Sequence, residues 1–590
     1  MQLSLIDWFI IGAYILITLA IGLWYKKQAG KSLSDFFLGG RNLPWFVAGI
    51  SMVATTFAAD TPLAITELMN QNGISGNWLW WNFIIGGMLT TFFFARLWRR
   101  ANVLTELELV EFRYSGKAAS FLRGVKSLYM GLLINTLFIG WVNLALVSIL
   151  TVFFDIPDHQ MIWYVALAML VSASYSTISG LIGVALADVF QFFIALTGAV
   201  VLAFLVVSSD QIGGISHLKE NLPDGALNFF PNFSLSGNAT ETFTGLSVSI
   251  SMLLAYIGVQ WWATMYPGAE PGGGGFIAQR MMSTRNEKES FKATLLFQIA
   301  HYTIRPWPWI LVGLSTIILY PQLGENEKRL GYVMAIKDFA PAGLKGLMVI
   351  SLLAAYMSTI STVLNLGASY LVNDLYKRFI KPLNHFSNEE SASRHYVLAG
   401  KIMTLLIMLV SLYTTTLFSS ISEVWIVLLE GTAGLGLVML LRWYWWRVNA
   451  WSEITATFVP LIVFTFTHFF RDIAFPQSLF LTVGTTTIAW IIITFITPPT
   501  DQKTLKKFCL TVRPALGWEP VYRQLKISPE KIHLPWALFS WGLSITLIFG
   551  ILFFVGKVIF LEPLDAFMWF SISFISYFGL KYSISKTGSL

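Results

Sequence analysis

The stretch AAYMSTISTVLNLGASYLVND (354–374) is apolar and long enough to cross a membrane, yet Ser358, Thr359, Ser361 and Thr362 crowd into little more than one of its turns. A hydroxyl surrounded by hydrocarbon needs a partner, because an unsatisfied polar group there is costly. Two partners fit. Ser and Thr can bond back to the carbonyl one turn earlier. A cluster of neutral oxygens can also hold a small hard cation such as Na⁺, by analogy with the oxygen preference of harder divalent ions.

A second membrane-length segment, WFVAGISMVATTFAADTPLAITE (45–67), carries Thr55, Thr56, Asp60, Thr61 and Pro62 at its middle. Pro62 lacks a backbone donor, so the helix should break or distort nearby. Irregular backbone at membrane depth is tolerated where it lines a cavity, and its freed carbonyls and half-helix ends coordinate ions and substrate. An acid at mid-membrane is a functional candidate for the same reason.

Composition agrees with a polytopic membrane protein. The chain has 590 residues, 55% of them hydrophobic and only 12% charged, about half the charge of a soluble domain. Cys509 is the only cysteine, which excludes an internal disulfide and a cysteine-cluster metal site. The first apolar stretch begins near residue 5 without a basic leader, so it reads as a span and not as a cleaved signal. About fifteen apolar stretches approach the roughly 20 residues that a bilayer demands. They start near residues 5, 45, 74, 124, 160, 184, 243, 293, 343, 400, 421, 451, 477, 535 and 562, with a split near Gly180.

Lys and Arg concentrate in alternate loops, including Arg96, Arg99, Arg100, Arg113 and Lys126, and again Lys503, Lys506, Lys507 and Arg513 in the loop 498–534. The opposite loops hold few. This places the N-terminus outside and the C-terminus in the cytoplasm. It also accounts for the net charge of +7 without nucleic acid. The polar stretch 208–242, with a glycosylation-type sequon at Asn238, is expected outside as a cover over the entrance.

Several separated pieces, in order, resemble the solute:sodium symporter family, which includes proline, galactose and glucose cotransporters. They are FFLGGRNLPWFVAG (36–49), SGLIGVALADVFQ (179–191), AQRMMSTRNEKES (278–290), and AAYMSTISTVLN with NDLY (354–365 and 373–376). The resemblance implies an all-α LeuT-type fold with a 5+5 inverted repeat, one extra helix before the core and about four after it. The implied division is an N-terminal helix and loop (1–35), a first repeat (36–206), an outer loop (207–242), a second repeat (243–448) and extra C-terminal helices (449–590).

The resemblance also carries a Na⁺ site onto Ala54, Phe57, Ala355, Ser358 and Thr359, and an ion-path acid onto Asp188. A substrate site falls on Asp60, Thr61, Trp80, Asn82, Trp261, Trp262, His301 and Arg305, where the chain departs from the sugar carriers. Arg305, at membrane depth in HYTIRPWPW (301–309), either recognises a substrate carboxylate or pairs with Asp60, Glu67 or Glu430. His301 reads either as a ligand or as a satisfied buried histidine. Tryptophan-rich patches suit sugar stacking and lipid belts alike. The run YPGAEPGGGG (266–275) has neither a preceding strand nor a following Lys-Ser/Thr, which excludes a phosphate loop and leaves a hinge or inner gate with Glu270 as a polar contact.

The expected function is Na⁺-driven import of a small organic solute, a sugar, a sugar acid or another carboxylate-bearing solute, across the bacterial inner membrane. A monomer without a partner protein would suffice, and no enzymatic chemistry is implied. The rival readings are H⁺ coupling through Asp60 or Asp188, a transporter-like sensor, and a membrane enzyme built on His301.

Overall fold

The computed structural model describes residues 3–29, 38–154, 156–231, 246–530 and 532–587. The Asn238 sequon and the far part of the outer loop lie outside the described residues. The described residues are helical, with a single parallel bridge, Leu43 to Thr284, at the inner ends of two core segments.

Helix α1 (Leu5–Ala29) precedes a broken pair, α2 (Trp45–Thr55) and α3 (Asp60–Asn72), bent by 54°. Then come α4 (Ile74–Ala101), α5 (Gly116–Phe154) and α6 (Asp158–Val207). Next are α7 (Ile250–Ala263), α8 (Gly275–Ser283), α9 (Glu287–Tyr302), α10 (Pro306–Leu319), α11 (Leu344–Ile380) and α12 (Glu389–Thr415). A second broken pair, α13 (Ile421–Gly431) and α14 (Leu435–Tyr444), bends by 53°. Helices α15 (Ala450–Phe470), α16 (Gln477–Ile496), α17 (Leu534–Ile559) and α18 (Pro563–Thr587) complete the chain.

The expected span start near 243 lies outside the described residues; each of the others falls on or near one of these elements. Among the described residues eight helices are long and apolar enough to cross a membrane, or ten if each bent pair is one span. Helix is assigned from Asp158 to Val207, and within it the apolar stretches His159–Ala173 and Leu181–Val207 lie on either side of the expected split near Gly180. The break in the first core span lies at 56–59, just before Pro62. Pro62 itself sits in the first turn of α3, where a missing N–H leaves no bond unmade.

Helix α2 packs on α6 and α9, while α11 packs on α6 and α1. Several cations counted as loop charges are buried instead: Arg113, Arg280 and Arg442 are at most 2% exposed. Arg442 and Lys126 both bind Glu453, and the Tyr114 hydroxyl donates to the same carboxylate at 2.8 Å. Such a cluster is stable only if every charge is paired and hydrogen-bonded. The Cys509 thiol is buried, in the helix Gln502–Val512.

The break between α13 and α14 leans on the end of α7. The Gly434 N–H donates to the Ala263 carbonyl at 2.7 Å. A Cβ at Gly436 would lie 2.2 Å from the Trp262 carbonyl oxygen, a backbone atom with little freedom to yield. Gly436→Ala is therefore expected to destabilise the protein by about 1–3 kcal/mol, read as a lowered Tm in detergent.

Candidate functional site

The first core span breaks at 56–59, among small and hydroxylated residues. At 56–59 the chain leaves α2 with Ala54 and Phe57 buried, and Ala355 and Thr359 of α11 are buried too. The Thr359 hydroxyl oxygen has no hydrogen-bond partner. A buried orphan oxygen beside a helix break fits a cation ligand. Ser358 donates its hydroxyl to Asp188 at 2.9 Å, and Ser51 donates to the other oxygen of Asp188 at 2.8 Å. With its proton turned to Asp188, the Ser358 oxygen keeps its lone pairs for a cation, the kind of outer-shell orientation that tunes metal sites.

Asp188 is 1% exposed, on α6. Arg280, from α8, lies within electrostatic reach of it and donates to Ser51 and Thr55 at 3.5 and 3.4 Å. The Gln-Arg motif thus reaches the back of the hydroxyl cluster, a link that sequence spacing does not reveal.

A cavity of about 40 Å³ adjoins this region, and Asp60, Thr61, Trp80, His301 and Arg305 all line it. That volume admits a few waters and no sugar, so the substrate space is closed. Tyr266, Tyr302 and Trp425, which the sequence reading missed, complete the walls. Tyr266 stacks on Phe83 with ring centroids 5.3 Å apart and meets Trp425 edge-on at 5.5 Å. The Asp60 Oδ1, the Arg305 Nε and the Trp425 indole N–H are buried without partners.

Three expected substrate residues do not line this cavity. The Asn82 amide bonds back to the carbonyls of Trp78 and Leu79 at 2.8 and 2.9 Å. The Trp261 indole bonds to the Ile257 carbonyl and its ring meets Trp541 of α17. The Trp262 indole bonds to the Gly258 carbonyl. The physical reason is the segment 264–274, which interrupts α7 and α8 and brings Tyr266, Gly268 and Ala269 to the cavity in place of the two tryptophans. A chain turn at Tyr266-Pro267-Gly268 was the available signal.

Arg305 forms none of the expected carboxylate pairs. Glu67 accepts from the Ser422 hydroxyl, and Glu430 accepts from the Ser478 hydroxyl at 2.6 Å. Asp60 is within electrostatic reach of Arg305, but no ion pair joins them. Instead the guanidinium donates to the Val53 carbonyl at 3.0 Å and the Thr56 carbonyl at 3.4 Å, and stands over the Trp309 ring at 5.0 Å. His301 Nδ1 meets the Thr56 hydroxyl at 3.0 Å. Both side chains therefore grip the helix break. The carbonyls of Val53 and Thr56 form one pair at the end of α2 and the start of its break, and those of Ala54 and Phe57 form the next pair along the chain. Arg305 holds the first pair, and the second pair is the one expected to bind the cation.

Residues 36–459 match the profile of the Sodium:solute symporter family. Among curated proteins, the sodium/glucose cotransporter of Vibrio parahaemolyticus is 25% identical over 77% of this chain and 83% of its own. The sodium/sialic acid symporter of Proteus mirabilis (strain HI4320) is 24% identical over 80% of this chain and 91% of its own. The sodium/proline symporter of Staphylococcus aureus (strain JH9) is 26% identical over 77% and 80%. A solved structure of a Na⁺-coupled sialic acid symporter, substrate-bound and outward-open, superposes with a TM-score of 0.66 at 21% identity, covering 84% of this chain and 99% of that one. The chain belongs to the sodium:solute symporter family: it is a multi-pass, LeuT-type, Na⁺-coupled solute symporter.

Proposed function

We propose that this symporter imports a small solute rich in hydroxyl groups and bearing a carboxylate, of the sugar-acid class, and that it does so without enzymatic chemistry. One observation carries the substrate reading. The cavity presents a carboxylate acceptor, Asp60, whose one side-chain neighbour of hydrogen-bonding type is the Trp141 indole, and two unpartnered donors, Arg305 Nε and the Trp425 indole, among flat aromatic walls. Hydroxyls satisfy the acceptor, an anion satisfies the donors, and a sugar ring stacks on aromatic faces. The sialic acid symporter among its relatives supports the class by name.

Na⁺ is proposed to sit between the carbonyls of Ala54, Phe57 and Ala355 and the hydroxyls of Ser358 and Thr359, with Asp188 on its path to the cytoplasm. The two repeats would span 36–206 and 243–448. The breaks at 56–59 and 264–274 fall in the first helix of each, which supports that division. The positive-charge asymmetry supports a plasma membrane location with the N-terminus outside, and a monomer is sufficient for the cycle. One charge moving inward across about 100 mV supplies about 2.3 kcal/mol, and the Na⁺ gradient adds to it.

Asp60→Asn tests the substrate reading. The variant is expected to weaken binding of hydroxylated solutes about tenfold or more, by roughly the 1.5–3 kcal/mol of a charged hydrogen bond, while Na⁺ binding survives. Binding to purified protein, screened over sugars, sugar acids and amino acids, reads both. Unchanged affinity for every solute would remove Asp60 from the site.

A further inference from the structure

The run of glycines after Glu270 makes room for two buried carboxylates. A Cβ on Gly275 would lie 2.9 Å from Glu270 Oε1, and one on Gly274 would lie 3.2 Å from Glu106 Oε2. Glu270 and Glu106 are 6% and 4% exposed. Glu270 is one residue past the cavity wall formed by Gly268 and Ala269, and Glu106 meets the backbone at the N-terminus of α8.

The two acids are not equivalent. Glu106 Oε2 accepts from the Gly275 N–H at 2.7 Å, and its Oε1 faces Arg442 Nη2 at 3.5 Å. Glu270 accepts from the Gly268 N–H at 3.1 Å and forms no ion pair. Arg442 is shared with Glu453, and Asp374 is taken by Arg123. Tyr370, on α11, is 2% exposed, lies within electrostatic reach of Glu270, Glu106 and Asp374, and has a hydroxyl without a partner. Glu270 is thus an uncompensated buried carboxylate beside a second carboxylate, and both cannot stay ionised cheaply.

A metal ion is a poor remedy. Both Glu106 oxygens already have donors, so Glu270 Oε1 and the Tyr370 hydroxyl are the oxygens left, and hard cations want several. The α8 N-terminus and Arg442 also repel a cation. A proton on Glu270 needs neither. We propose that Glu270 is a proton-binding site of the transport cycle: its carboxyl group holds a proton while the cytoplasmic side of the cavity is closed and releases it to cytoplasmic water when that side opens.

The groups around Glu270 come from separate segments: Glu106, from the loop after α4, and Tyr370, on α11, interact with it directly, while Arg442 of α14 and Asp374 of α11 reach it only through Glu106 and Tyr370. Parting them hydrates the carboxyl group, which then ionises. On closure it takes a proton back from the same side, so the proton times the cycle and Na⁺ remains the driving ion. This proposal rests on the transport reading above, and two measurements separate their failures.

The first is Na⁺-driven uptake into proteoliposomes with the internal pH stepped between acidic and alkaline values. The wild type is expected to slow several-fold as the interior is acidified. Glu270→Gln, a permanent mimic of the protonated acid, is expected to be slow and flat with pH. Glu106→Gln removes the neighbouring negative charge and is expected to move the midpoint to lower pH. The second measurement needs no substrate: hydrogen–deuterium exchange of 266–283 in nanodiscs, corrected for intrinsic rates. Protection is expected to fall as pH rises in the wild type and not in Glu270→Gln. Exchange that responds to pH identically in both proteins overturns the proposal, as does a Glu270→Gln uptake profile that follows the wild type. A changed Na⁺ dependence in Glu270→Gln with the pH response intact would make the site a metal site and overturn it too. Absence of Na⁺-driven uptake with an intact exchange response would defeat the transport reading alone.

Discussion

Replacing Ser358 and Thr359 together by alanine is expected to abolish Na⁺-driven accumulation of substrate. The Thr359 oxygen is buried and bonded to nothing in the protein. The Ser358 oxygen is held by Asp188 with its lone pairs free. Removing both leaves only backbone carbonyls around the ion. Loss of even an outer-shell partner costs a metal site about 10–100-fold in affinity, and loss of two direct ligands should meet or exceed that. The fold should survive, because neither hydroxyl supports the helix: Ser361, not its neighbours, makes the backbone bond here, to the Ser358 carbonyl at 2.9 Å. Substrate uptake that persists at wild-type Na⁺ dependence would remove these hydroxyls from the ion site.

Arg305→Ala carries the second large effect, and the structure changes what it should do. An arginine that served only a substrate carboxylate would, when lost, spare neutral solutes. Here the guanidinium donates to the Val53 and Thr56 carbonyls and to the Thr56 hydroxyl at 3.3 Å. Its loss leaves the helix break unpinned and takes a charged donor from the Val53 carbonyl, which keeps the Phe57 N–H at 3.0 Å, and from the Thr56 carbonyl, which keeps the Thr61 hydroxyl at 3.3 Å. At about 1.5–3 kcal/mol for each charged hydrogen bond, apparent Na⁺ affinity should fall by at least about tenfold, and transport of every solute should fall with it. Arg305→Lys keeps the charge but not the fork and should restore only part. Na⁺ titrations of solute uptake, with neutral and anionic substrates in parallel, distinguish the two roles. Normal Na⁺ affinity with a defect confined to anions would return Arg305 to pure substrate recognition.

Some of this was legible in the chain alone. Hydroxyls at 358–362 and the acid–proline cluster at 60–62 announce polar business inside hydrocarbon, and both reach the region where the helices break. Charge placement gave an expected topology, and three of the cations it counted, Arg113, Arg280 and Arg442, are buried. What sequence could not show were partners supplied by backbone. Arg305 finds carbonyls where a carboxylate was sought, and no residue type signals an open carbonyl. The resemblance put substrate residues on Trp261 and Trp262, but 264–274 is irregular and its turn delivers Tyr266 to the cavity. The glycine run looked like a hinge; its space is occupied by Glu106 and Glu270, one of them from a distant loop.

Direct binding of Na⁺ to the purified protein, titrated without substrate, tests the central claim that α2 and α11 build a neutral-oxygen cation site. The account predicts saturable Na⁺ binding in the wild type that Ser358→Ala/Thr359→Ala loses while its thermal unfolding stays cooperative. Saturable binding of equal affinity in both proteins would contradict it.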